Sequence, residues 1–432
     1  MKSKLAVWSW ALYDLANTIF FINVITLYFA LWVTVDMGGR DIYYSIAMAC
    51  SMLIIALSQP VLGAVSDRRA KRKPFLIGFT LLCVVFTALL GFTKNLWAGL
   101  FFFALANIGY QTGIVFYDML LPEISTKEEL GKVSGLGVAL GYAGTFIGLL
   151  LVRPFVLQAG RQAAFVPTAL FFLLFSIPCF IFVKDIVHSK PGVNLNDARC
   201  TACPPILLGG THDVTGRTGL HEAFVSLRET FRNRHKYPGL FRFMIAHFLY
   251  LNAINTTMMF VSVYGNKVMG FTDSELNSFF LFATAFASAG SAISGFLTDK
   301  FGAKKTLMGT ITLWCLTFVL VAFAFSKWMF WIIGPLSGIT LGSTWVASRA
   351  FIARIAPAEK RGEFFGFFGL SGRAAMVGPV VWGAVALLLE PLGLLRYRIA
   401  VIFLLAFSVA GLILLRKVPD PFYKQEDKTI SG

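Results

Sequence analysis

Residues Gly63–Pro74 read Gly-Ala-Val-Ser-Asp-Arg-Arg-Ala-Lys-Arg-Lys-Pro and stand between two long apolar runs. The pattern returns 232 positions later as Gly295-Phe-Leu-Thr-Asp-Lys-Phe-Gly-Ala-Lys-Lys305, again between apolar runs. In each copy a small residue lets two helices approach and an Asp ends the first of them. A basic cluster then holds the turn on one side of a membrane. A soluble Gly-Asp-Lys turn has no reason to recur between segments of membrane length, so the repeat divides the chain into two related halves.

Composition sets the same frame. Hydrophobic residues make up 57% of the 432-residue chain and charged residues 14%, against about 25% charged in ordinary soluble domains. At about 20 residues per span plus short loops, this length accommodates twelve membrane helices. We expect spans at about 7–35, 43–65, 75–93, 96–118, 133–157 and 164–184, then 241–265, 274–298, 306–325, 328–353, 363–389 and 394–416. The expected fold is therefore an all-α membrane protein of two pseudo-twofold-related six-helix bundles, residues 1–184 and 241–432. No cleavable signal peptide is expected, because the first apolar run is too long and no small-residue cleavage site follows it.

The net charge of +16 would suit a nucleic-acid partner, but its placement follows the loops instead. Of the 38 Lys and Arg, 28 fall at the N-terminus, in the loops after even-numbered spans and at the C-terminus, and 8 fall in the opposite loops. Two more, Arg349 and Arg373, fall inside spans. Both termini are therefore expected in the cytoplasm, with the inner membrane of a bacterium as the setting, a monomer as the state and no nucleic-acid partner.

The segment 185–240 separates the halves as a cytoplasmic loop. Leu220, Ala223, Phe224, Leu227 and Phe231 share a helical face there, with Arg228, Arg232 and Arg234 elsewhere. That pattern reads as an amphipathic helix on the membrane surface, or as a site for a calmodulin-like partner. Cys200 and Cys203, with His188, His212 and His221 nearby, are a weak zinc pattern because no second Cys pair accompanies them. No metal or other cofactor is expected. Cys50, Cys83, Cys179 and Cys315 lie in apolar runs and read as small core residues.

Aligning the halves locates a candidate site. At an offset of 231, Ile124, Glu128, Gly131, Gly135, Gly141 and Ala143 match Ile355, Glu359, Gly362, Gly366, Gly372 and Ala374. At an offset of 238, Asp14, Asn17 and Thr18 match Asn252, Asn255 and Thr256. Parallel repeats of this kind bind solute near the midplane between them. The Gly runs of spans five and eleven suit close packing that can slide or bend.

The repeated loop resembles that of the major facilitator superfamily of secondary transporters. Gly302 keeps the family's glycine, whereas Ala70 replaces it in the first copy. Four stretches resemble a narrower branch, the vacuole-effluxer-like transporters related to autophagy-linked vacuolar amino-acid exporters. They are Leu12–Phe20, Val115–Ile124, His247–Asn252 and Gly362–Arg373. The resemblance implies export of small molecules, amino acids in the best-known branch, by alternating access. Two departures concern the cavity: Asn252-Ala253 stands where the family usually carries Asp-Gly, and Trp345 where it usually carries Gln.

Ionisable groups inside spans cost about 2.5–3.5 kcal/mol each on insertion scales, so each needs a reason. Asp14 and Asn17 share a helix face. Asp14 reads as a protonatable carboxylate facing the cavity, or as a group that reaches cytoplasmic water and braces span one. Asp118 and Arg349 occupy equivalent positions in the two halves. They read as an inter-half gate, or as helix-end charges with local partners. Arg373 lies about ten residues into span eleven and offers a fork for a carboxylate or phosphate; the alternative is a structural ion pair, with Asp14 one partner.

Asn107, Tyr110, Gln111 and Tyr117 form a polar stripe on span four suited to a wet cavity. Asn252 and Asn255 are placed with Tyr110, Gln111 and Arg373 as substrate-binding or coupling residues. His247 reads as a packed histidine or a proton relay. Asp67 and Asp299 are expected to latch the cytoplasmic side, each against the N-terminus of the opposite half's fifth span, near Gly362 and Gly131 respectively.

A transporter for a small polar or anionic solute, proton-coupled or facilitative, accommodates these features. A channel would want a filter-like loop. An enzyme would want a nucleophile–base pair, a metal cluster or a phosphate loop, and none appears at useful spacing.

Overall fold

The computed structural model describes residues 4–69, 72–124, 130–183, 237–356 and 361–419. Among them are twelve helices long and apolar enough to cross a membrane. Spans one to six are Lys4–Asp36, Asp41–Arg69, Lys73–Leu90, Leu96–Ile124, Leu130–Ala159 and Phe165–Phe182. Spans seven to ten are Pro238–Lys267, Asp273–Phe301, Ala303–Ala322 and Lys327–Ile355. Span eleven is two helices, Arg361–Ala374 and Val377–Leu388, and span twelve is Leu395–Arg416. Twelve spans put both termini on one face, here the terminal face. The surface amphipathic helix and Cys200/Cys203 lie outside the described residues.

Several helices run past their expected ends. Span four continues to Ile124 rather than stopping near 118, because Tyr117, Leu120 and Ile124 extend its buried side. That extension leaves Asp118 six residues, about 9 Å, inside the helix.

Span one is the most enclosed of the twelve and contains a π-helical stretch, Phe21–Tyr28. Such widened turns recur at functional sites. Side chains from elsewhere reach its carbonyls. The Tyr44 hydroxyl donates to Ile25 O at 2.8 Å, and the Ser262 hydroxyl donates to Thr26 O at 2.7 Å across the two halves.

Span five lies against span one along its glycines. A Cβ at Gly144 would stand 2.5 Å from the Leu15 carbonyl oxygen, and one at Gly141 would stand 3.2 Å from Asp14 Oδ2. Spans eight and ten close in the same way in the second half, where a Cβ at Gly338 would meet Ala283 O at 2.2 Å. Because the obstacle at Gly144 is backbone, Gly144→Val is expected to destabilise by overpacking, about 1–3 kcal/mol. A thermal melt of the purified variant matching the parent would contradict that packing. Large apolar side chains such as Leu57 (70% exposed) and Phe296 (66%) turn outward, as a lipid-facing surface requires.

Candidate functional site

A cavity of about 650 Å³ lies between the halves. Spans one and five form one wall, spans seven, eight and ten the other, with Trp314 of span nine behind. Most of the lining is apolar, including Phe21, Ile22, Val261, Phe279, Phe280 and Leu341. Hydroxyls of Thr18, Thr145, Tyr142, Ser291 and Ser337 are scattered through it. Its two charged lining residues, Asp14 and Arg349, come from opposite halves.

Asp14 lies ten residues into span one, about 15 Å from that helix's start. Its carboxylate meets the Gly141 backbone, where no side chain intervenes. Asn17 stands beside it, itself buried. Arg349 is within electrostatic reach of both Asp14 and Asp118, and Arg373 is within reach of Asp118. The internal alignment that equated Asp118 with Arg349 thus brings together two charges that the chain separates by 231 residues. Asp118 is solvent-accessible yet has protein on most sides, as a group facing a wet recess would be. Two carboxylates and two guanidiniums from four spans therefore share one region.

The other sequence-selected residues go elsewhere. Tyr110 packs its ring on Phe20 at 4.7 Å inside the first half, and Gln111 is half-buried outside the cavity wall. Asn107 donates to the Ser51 hydroxyl at 2.7 Å, and Tyr117 stacks on Trp10 at 4.4 Å. The polar stripe of span four thus holds its own bundle together. His247 is packed, bonded to Ser371 at 2.6 Å and stacked on Phe368 at 4.1 Å.

Asn252 and Asn255 also miss the cavity and bind the backbone of span eleven. Of the two family departures, Trp345 stands in the cavity wall and Asn252 does not. Asp299 is exposed and lies 3.9 Å from Arg354 in its own half. The Asp67 side chain, the side chains around Gly131 and Gly362, and the loops 125–129 and 357–360 lie outside the described residues.

Sequence reading missed Tyr142 and Ser291, whose hydroxyls bond at 2.8 Å between spans five and eight. Apart from Thr18, which the 238 offset aligned with Thr256, it also missed the small hydroxyls of the wall. Thr18, Thr284, Ser291 and Ser337 each donate to a carbonyl of their own helix four residues back. A hydroxyl so satisfied is tolerated on any face of a span, so its type alone does not mark the cavity.

The end of the cavity away from the termini is sealed by contacts between the halves. Arg161 donates to both oxygens of Asp273, at 2.9 and 3.0 Å, and also holds Asp36 of its own half. Arg153 donates to the Ser274 hydroxyl at 2.6 Å, and Asn277 donates to the Tyr28 hydroxyl at 3.1 Å. On the other flank Arg40 pairs with Glu390 at 3.3 Å. Beside that pair Asp41 is buried next to Lys267, Arg396 and Tyr397. Toward the termini the wall is more exposed, at Val138, Trp345 and Arg349.

Twelve spans in two related bundles, with an apolar cavity between them, define a transporter of the major facilitator type. Solved structures agree on the fold: the nucleoside transporter NupG superposes with a TM-score of 0.71 at 15% identity, over 96% of this chain and 99% of that one. Residues 35–425 match the family described as vacuole effluxer Atg22-like. The chain belongs to that family. It is 26% identical to the uncharacterized MFS-type transporter YxiO of Bacillus subtilis (strain 168), over 95% of this chain and 94% of that protein. It is 24% identical to autophagy-related protein 22 of Saccharomyces cerevisiae (strain ATCC 204508 / S288c), over 63% of this chain and 54% of that protein.

Proposed function

We propose that this protein is a secondary active transporter that moves a small amphipathic, amino acid-like solute by alternating access. The observation that carries this reading is the cavity between the halves, with an apolar body and a carboxylate–guanidinium pair at one end. An apolar wall suits a hydrocarbon or aromatic side chain. Arg349 suits an anionic head, with Arg373 behind it through Asp118, and Asp14 suits a cationic head or a proton. The sealed distal face makes this the form accessible from the termini. Lys and Arg placement argues that the termini are cytoplasmic, so the form is inward-open, in a bacterial inner membrane. Asp14 is the group we assign to proton coupling, and a monomer suffices for the cycle.

The test is counterflow in proteoliposomes with radiolabelled neutral amino acids, organic acids and nucleosides. Saturable counterflow of at least one neutral amino acid is expected. Flux without counterflow would favour a channel, and counterflow only of solutes lacking an apolar body would overturn the solute class. A second expectation concerns the gate. Asp118 and Arg349 should show a coupling energy of about 0.5–3 kcal/mol in a double-mutant cycle on thermal stability. Strict additivity would remove the gate.

A further inference from the structure

Span eleven is interrupted at Ala374–Met376, between helices Arg361–Ala374 and Val377–Leu388. Pro379 explains where. In a continuous helix the N–H of residue 379 would donate to the carbonyl of residue 375, and proline has no N–H. The missing donor comes from span seven: Asn255 Nδ2 donates to Ala375 O at 3.1 Å. One turn away, the Gly378 N–H donates to Asn252 Oδ1 at 2.6 Å instead of to its own helix. A Cβ at Gly378 would stand 2.4 Å from Asn252 O, so only glycine lets the two backbones come this close. Asn252 is itself fixed by donating to Phe248 O at 2.7 Å.

The two pieces of span eleven share span seven as a partner but differ in what else holds them. The segment nearer the termini is bound to span seven through His247–Ser371 and the His247–Phe368 stack. The far segment is bound to span seven through Gly378–Asn252 and the Phe260–Trp382 stack, and to the first half as well: the Ser45 hydroxyl donates to Pro379 O at 2.7 Å, and a Cβ at Gly383 would stand 2.7 Å from Ile42 Cα. Arg373, within reach of Asp118, is the penultimate residue of the near segment. A relative motion of the halves would therefore load the far segment through Ser45 while span seven holds both segments, and the break between them is where the helix can yield.

We propose that span eleven bends at Ala374–Met376 during transport, and that Asn255 is a positioning residue that holds this joint by supplying the donor Pro379 lacks. Asn252 holds the start of the far segment. The inference rests on the alternating-access reading, but its test needs no solute. Span five also carries an interior proline, Pro154, near its far end, but its helix runs unbroken from Leu130 to Ala159.

The experiment is a rescue cycle with a distance measurement. Asn255→Leu leaves Ala375 O without its donor, and the apparent Tm is expected to fall by roughly 2–4 °C. Pro379→Ala restores a backbone N–H, so the double variant should recover the parental Tm. A double variant no more stable than Asn255→Leu would show that Asn255 does not serve the proline.

The motion is read by spin labels on Leu370→Cys and Leu388→Cys, in a background without other cysteines and in proteoliposomes. A straight helix would set these positions about 27 Å apart. Two distance components are expected with Pro379 present, and the shorter should be lost in Pro379→Ala. A single component with Pro379 present, or an unchanged distribution in Pro379→Ala, would overturn the joint. Neither outcome depends on whether a transported solute has been found, so failure here is distinct from failure of the transport reading.

Discussion

Arg161→Leu is expected to shift the protein toward opening of the face away from the termini. Arg161 shares its Nε–H between both oxygens of Asp273 across the interface while its Nη1 holds Asp36 of its own half. Its side chain is 13% exposed, and those of Asp36 and Asp273 are 34% and 24% exposed. Breaking a fully buried pair costs about 3–5 kcal/mol, and exposed pairs count for under 1, so this half-exposed pair should contribute about 1–3. Leucine removes that stabilisation from the sealed form only, and leaves two carboxylates facing each other. When the face opens, Arg161 would be hydrated in any case.

The resulting population shift is roughly 5–150-fold. The measurement is alkylation of Thr284→Cys, in the cavity wall, by an impermeant reagent added from the sealed side. Reactivity should rise by that factor in Arg161→Leu and by less in Asp273→Asn, which keeps a hydrogen-bond acceptor. Unchanged reactivity would mean that the pair does not hold this face shut.

Asp14→Asn is expected to abolish accumulation driven by a pH gradient while leaving counterflow at equal pH largely intact. The cavity's charged end holds Asp14 and Asp118 against Arg349 and Arg373, with the phenols of Tyr110 and Tyr117 nearby. With both carboxylates ionised the four charges balance. A proton on Asp14 leaves a net positive charge, which a solute carboxylate would neutralise, so proton and anion would travel together.

Asparagine keeps the size and hydrogen bonding of the protonated acid but cannot release a proton, and Gly141 leaves it the same room. The accumulation ratio with and without a gradient should fall at least about tenfold, toward equilibration. A variant that still concentrates solute would exclude Asp14 as the coupling group. Loss of counterflow as well would assign Asp14 to solute binding or to the scaffold.

How far the sequence could be read depended on whether a residue's neighbour was implied by the repeat. The loop at Gly63, the twelve spans and the Asp118–Arg349 correspondence are all consequences of duplication, visible as offsets of 231 and 232. Which way a span faces was harder to read. Span four is apolar nearly all round, so the periodicity that put Asn107, Tyr110 and Gln111 on one stripe did not say whether that stripe met water or a neighbouring helix. Two of them meet helices.

The asparagines of span seven were chosen as amides equivalent to Asp14 and Asn17. Pro379 was equally visible. But the need it creates is met 124 positions away, and no local pattern links a proline to the side chain that completes its helix. Fold followed from patterns repeated along the chain. The cavity followed from orientations that only packing decides.

Two of the nine tryptophans, Trp314 and Trp345, stand in the cavity wall, and Trp345 is 41% exposed while Trp314 is buried. The protein thus carries its own optical reporter at the place a solute would occupy. An apolar solute lodged there would displace water from the Trp345 indole, shifting its emission to the blue without any label. Trp345→Phe leaves the other eight tryptophans, of which only Trp314 also lines the cavity, so the difference between parent and variant isolates the Trp345 signal. Candidate solutes can then be ranked by fluorescence titration before any flux is measured.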